Sequence, residues 1–136
     1  MIKSIEKNRL FLRCKAQDAT PADLQTATDL VDTLAAHAHE CVGMAANMIG
    51  VPVRIIAYAH DAESGVMLNP ETIAHDGLYH TQEGCLSLEG VRETDRYQRI
   101  TVRYQDTDFA WHEDAFEGFI AQIIQHEIDH TNGILI

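Results

Sequence analysis

Positive charge is scarce in this chain: ten lysines and arginines stand against twenty-one aspartates and glutamates, a net charge of −11. That balance favours solubility and opposes non-specific binding to nucleic acid or anionic membrane, and no basic cluster compensates for it. Cysteine is nearly absent as well. Cys14, Cys41 and Cys85 are an odd number without secretory context, which argues against a disulfide framework and for buried or metal-bound thiols. No apolar run approaches the roughly 20 residues needed to cross a bilayer. The opening MIKSIEKNRLFLRCKAQ lacks the apolar core of a secretory signal, so a cytoplasmic protein is expected. Neither a repeat, a low-complexity tract nor a Pro/Gly/Ser linker interrupts the sequence, and residues 1–136 are expected to form a single domain around one core.

What is present reads as helix, several strands, helix. In TPAD, Thr20 can cap, Pro21 suits a first helical position and Asp23 favours the positive helix end. Leu24, Ala27, Leu30, Val31, Leu34, Ala35 and Ala38 then keep helical period, predicting an amphipathic helix to about His39 that the turn at CVG ends. Strand character follows in VRIIAYA, GVMLN, around GLYHTQEG and in RITVRYQ, with DTDF as a turn into the next strand. Phe119, Ile120, Ile123, Ile124 and Ile128 predict a last helix over 117–131, stopped by Asn132-Gly133. The fold class is α+β.

The chemistry concentrates in IIQHEIDH. His126 and His130 are four apart, on one helix face, where two imidazoles can converge on one cation. Glu127 lies between them as a base, the H-E-x-x-H arrangement in which a glutamate takes a proton from metal-activated water. A catalytic site of this kind needs three protein ligands and one open position, and Cys85 in EGCLS can bring a thiolate as the third. The competing reading is a charged helix face with two solvated histidines and a cysteine that is a small buried hydrophobe. Cys14 and Cys41 are read in that bland way, as are His37, His39, His60, His75, His80 and His112, none of which has a convincing ligand spacing.

Three ordered blocks, GMAANMIG (43–50), EGCLS (83–87) and QHEIDH (125–130), resemble the signatures of the peptide deformylase family, with MLNPE and GVRETDR fitting between them. The resemblance implies short antiparallel strands packed around a C-terminal metal-binding helix, with the amphipathic helix N-terminal to them. It implies that Cys85, His126 and His130 hold one divalent metal, Fe(II) being usual and Zn(II) or Ni(II) substituting. Glu127 is then general base and acid, and the Leu86 N–H donates to the oxyanion. Gly43 admits substrate backbone, while Val42 and the helix face at Ile123 line the methionine pocket. The implied partner is an N-formyl-Met peptide or nascent chain, with no nucleic acid and no membrane. Oligomeric state is left open.

Two positions depart from the family pattern G-x-G-x-A-A-x-Q: Cys41 replaces the first glycine and Met48 the glutamine. That glutamine donates an N–H to the formyl oxygen, whereas a thioether cannot donate. Asn47 next door is expected to point elsewhere. The chain also stops at Ile136, soon after the metal helix, where many relatives continue. A deformylase of reduced activity is therefore expected. The alternatives are a catalytically impaired metal or N-terminus binding module, and a metal-dependent protease, for which only H-E-x-x-H speaks.

Overall fold

The computed structural model describes residues 1–136. Five strands, β1 (Gly43–Ala45), β2 (Ile55–His60), β3 (Glu63–Cys85), β4 (Leu88–Gln105) and β5 (Trp111–Glu117), form one sheet in chain order, each antiparallel to the next. Three helices accompany them: α1 (Arg9–Leu12), α2 (Leu24–Ala36) and α3 (Gly118–Thr131). The meander follows from short connections. Asp61, at φ 52, lets β2 reverse into β3, a conformation that aspartate tolerates better than most residues. Leu86 and Ser87 are the two-residue turn between β3 and β4, with Cys85 paired to Leu88. Asp106 closes the DTDF turn by accepting from the Asp108 and Ala110 N–H groups at 2.9 and 3.1 Å.

The apolar GVMLN run and the GLYHTQEG run are one strand, β3, which continues through Pro70. Proline has no N–H to give a ladder, and the register slips there, between Leu68 and Glu71. Strand β4 likewise begins well before RITVRYQ, at Leu88, in a polar stretch whose only covered face looks toward α3. Ile55, Ile56 and Ala57 are consecutive and all buried because both α2 and α3 contact β2.

Helix α2 ends at Ala36, three residues short of the expected His39, and Pro21–Asp23 form a 3-10 turn ahead of it. Thr20 is the N-cap of that turn as expected, without a capping hydrogen bond to its own side chain. The Asp23 carboxylate accepts from the Thr20 N–H at 2.8 Å, closing the turn from the other side. Its buried stripe is Ala27, Leu30, Thr33 and Leu34, while Val31 and Ala35 face water. Thr33 can sit there because its hydroxyl donates to the Asp29 carbonyl at 2.7 Å. Helix α3 matches expectation, with Ile120, Ile123, Ile124 and Ile128 in the core. Phe119 is half exposed. Among the cysteines, Cys14 is exposed rather than buried, since α1 is a single turn that covers only Leu12.

Candidate active site

Helix α3 lies against β1, β2 and β4 with its last two turns almost wholly enclosed: His126, Glu127 and His130 are 7%, 4% and 0% exposed. That burial disposes of the solvated-face reading. Two amides fix the helix in register. The Gln125 side chain accepts from the Tyr97 N–H and donates to the Tyr97 carbonyl, both at 2.8 Å, so it pairs with β4 as another strand residue does. Asn47, in the 3-10 turn Ala46–Ile49, donates to the His130 carbonyl at 2.9 Å, so it does point away from the cleft.

The turn after β3 brings Cys85 to the same place. Cys85 Sγ is 3.4 Å from His130 Nε2, which is 3.0 Å from His126 Nε2. The three ligand atoms lie within 4.8 Å of one another, the scale set by metal–ligand bonds of about 2.0 to 2.3 Å. On its other side His126 donates Nδ1–H to Glu83 Oε1 at 2.7 Å, which fixes the tautomer and leaves Nε2 to face the cysteine and His130. Glu83 is itself held by Arg96, through Nε at 2.9 Å and Nη2 at 2.7 Å, and Arg96 reaches Asp129 at 2.7 Å.

Burial pushes Glu83 up, but the His126 and Arg96 hydrogen bonds outweigh it and hold the carboxyl at about 2. It therefore stays an anion that supports the imidazole. Burial pushes Glu127 up to about 7, where a carboxylate both takes and returns a proton readily near neutrality. Its Oε1 is buried without a partner. Burial and the neighbouring His126 drive His130 down, whereas the burial of His126 is outweighed by Glu127, Cys85 and Glu83, which push it up to about 10, so a metal bound there displaces the His126 proton.

A cleft of about 630 Å³ opens over these groups. Val42, Gly43, Met48, Leu86 and Ile123 line it together with Cys85, His126 and Glu127, and His130 lies beneath. No hydrogen bond to the Leu86 N–H is made within the protein. Gly43 has a further reason to be glycine: a Cβ there meets Ile123 Cγ2 at 2.6 Å and Glu127 Oε2 at 2.7 Å. The space is taken by α3, which lets Glu127 lie flat against β1. Met48 is buried, and its sulfur accepts from the Ala45 N–H at 3.4 Å. Cys41, on the cleft wall, donates its thiol to the Gly43 carbonyl, and burial pushes it up to about 12, so it remains a neutral thiol.

The arrangement coincides with a known family. The polypeptide deformylase family model matches residues 1–136, the whole chain. A peptide deformylase of Clostridium beijerinckii is 48% identical over 136 residues, covering 100% of both chains. The chain belongs to the peptide deformylase family. Among solved structures, the Thermotoga maritima peptide deformylase superposes with a TM-score of 0.88 at 30% identity, covering 99% of this chain and 95% of that one. A Met-Ala-Ser-bound class I type b peptide deformylase of Acinetobacter baumannii gives 0.89 at 28% identity, covering 99% and 97%. This deformylase-family chain is a hydrolase by that membership, and its fold is the expected α+β one. The family implies a divalent metal. The donor set fits one: a soft thiolate and two imidazoles converge, the Nδ1–H of His126 is already taken by Glu83, and Glu127 Oε1 is spare beside them. No helix is long and apolar enough to cross a membrane.

Glu83 was within reach of sequence reasoning, two residues before Cys85 and thus on the same strand face. Arg96 falls in the GVRETDR block of the resemblance but with no partner named by it, and Gln122 and Gln125 carried no signal of what they hold, because each works through a partner distant in sequence.

Proposed function

We propose that the protein removes the N-formyl group from formyl-methionyl peptides and nascent chains in the cytoplasm, at a rate limited by Met48. The convergence of Cys85, His126 and His130 beside an unpartnered, buried Glu127 carries this reading. Cys85, His126 and His130 are the ligands. A divalent metal bound there, Fe(II) by the resemblance or Zn(II) or Ni(II) in its place, supplies a Lewis acid and lowers the pKa of water toward neutrality.

Glu127 takes a proton from the water that attacks the formyl carbon, then gives it to the departing amine as the C–N bond breaks, leaving formate and a free N-terminus. The free Leu86 N–H donates to the carbonyl oxygen as it gains charge. Val42, Gly43 and Ile123 form the wall on which the methionine side chain packs, and Met-Ala-Ser in the Acinetobacter relative is a peptide of the matching type. Met48 is the deficit. It faces the cleft where a second donor is needed, yet its sulfur only accepts.

Glu127→Gln tests the assignment. The amide cannot accept a proton as a carboxylate does, so hydrolysis of formyl-Met-Ala-Ser should fall at least about 10²-fold while metal content stays at one per chain. Metal loss would make Glu127 a ligand, and unchanged turnover would place the base elsewhere.

A further inference from the structure

Glu83 accepts one hydrogen bond that the family pattern of motifs does not account for. Gln122 Nε2 donates to Glu83 Oε2 at 3.0 Å, and Gln122 Oε1 accepts from the Tyr79 hydroxyl at 3.0 Å. We propose that Tyr79 and Gln122 are positioning residues that aim the His126 imidazole by holding Glu83, an inference that rests on the metal-site reading above.

The placement follows from both elements. Tyr79, Thr81, Glu83 and Cys85 alternate along β3, so they share the face turned to α3, while His80, Gln82 and Gly84 face water. Gln122 is one helical turn before His126, on the same side of α3. The Arg96 fork sets the plane of the Glu83 carboxylate, but Arg96 comes from β4 and reaches α3 only indirectly, through Asp129 on the far side of His126. Gln122 ties the same carboxylate to the helix that carries His126. Sliding of α3 on the hairpin is thereby resisted at the point where the Nδ1 bond is made.

The orientation of the amide is determined as well. The Glu83 oxygens already accept from Arg96 and His126, so Gln122 presents Nε2 to Oε2, leaving its own Oε1 for the Tyr79 O–H. Losing that hydroxyl frees the amide to rotate away and leaves Oε2 to Arg96 alone. Partners one step out from a ligand typically change metal affinity or activity by 10- to 100-fold. Gln122 stands one step further and Tyr79 two, so effects at or below the lower end of that range follow.

The test uses the full-length protein, loaded with Co(II) chloride. Tyr79→Phe, which is nearly isosteric and outside the cleft lining, should weaken Co(II) binding in a chelator competition about three- to tenfold and alter the visible d–d absorption. Its kcat on formyl-Met-Ala-Ser should fall by a similar factor, with KM changed less than about twofold. In a Glu83→Gln background the same change should add nothing. Gln122→Met, at a position open to the cleft, serves if Tyr79→Phe does not fold, and should weaken Co(II) about tenfold. Wild-type affinity and spectrum in both variants, with wild-type metal binding and deformylation intact, overturn this inference alone. An undiminished Tyr79→Phe effect in the Glu83→Gln background overturns it too. A wild-type protein that takes up no Co(II) overturns the metal-site reading and this inference with it.

Discussion

The Met48 thioether sits against the Ala45 N–H, a contact that a glutamine carbonyl oxygen makes better. In Met48→Gln, Oε1 takes that N–H, and the amide Nε2 is then directed into the cleft that Met48 already lines. One missing oxyanion donor costs about 10²- to 10³-fold in rate elsewhere, so a gain of at least about tenfold in kcat is expected, with KM little changed. A steady-state assay of formyl-Met-Ala-Ser on the metal-loaded pair checks it. Equal rates would show that the oxyanion site lacks nothing. Gly43 allows a second prediction at this scale. A methyl group there collides with Ile123 Cγ2 and with Glu127 Oε2; the helix backbone is enclosed, so the Glu127 carboxylate is what moves, and Gly43→Ala displaces it. Overpacking of this kind costs roughly 1 to 3 kcal/mol. The expected outcome is a lower urea midpoint together with a loss of turnover larger than the stability change explains.

At the scale of elements, α3 depends on Gln125 for its seat on β4, because that side chain supplies both a donor and an acceptor to Tyr97. Gln125→Leu keeps the volume but strands the Tyr97 N–H and carbonyl beside an apolar group. Each buried orphan costs about 1 to 3 kcal/mol, and a loss of roughly 2 to 4 kcal/mol by denaturant titration is expected. This dependence also explains what sequence could and could not disclose. The H-E-x-x-H spacing is local and periodic, so His126, Glu127 and His130 were legible, and Cys85 became so through its block. Gln125 sits in the same block, yet nothing in its neighbours tells that its partner is the backbone of Tyr97. Glu83, Arg96 and Asp129 form a chain across three elements, and pairing of that sort leaves no period in any one of them. The ends of α2 were misjudged for a related reason. Ala38 continues the helical period past Ala36, but the stripe that the core accepts stops at Leu34.

Considered as a whole, the molecule draws the three proposed ligands from two separate pieces of architecture: Cys85 from the end of β3, at the turn into β4, His126 and His130 from α3. A metal held by all three joins pieces that in the unfolded chain are 41 residues apart between Cys85 and His126, so it binds the folded form and scarcely the unfolded one. The surrounding charge reinforces this. With a net charge of −11 on the chain and Glu127 unpartnered beside the three donors, the folded site favours a dication. Stabilisation grows as the logarithm of metal concentration over the dissociation constant, reaching about 4 kcal/mol at a thousandfold excess. For a domain of this size that corresponds to roughly 10 to 20 °C in melting temperature. Stripping the metal with a chelator should therefore lower the calorimetric Tm by that order, and one equivalent of Zn(II) or Co(II) should restore it. In Cys85→Ser the loaded and stripped proteins should melt within a few degrees of each other, since the thiolate that completes the set is gone. A Tm indifferent to metal in the wild-type protein, at a measured occupancy of one, would mean that the ion sits outside this junction. The ligand assignment of Cys85 would then be wrong.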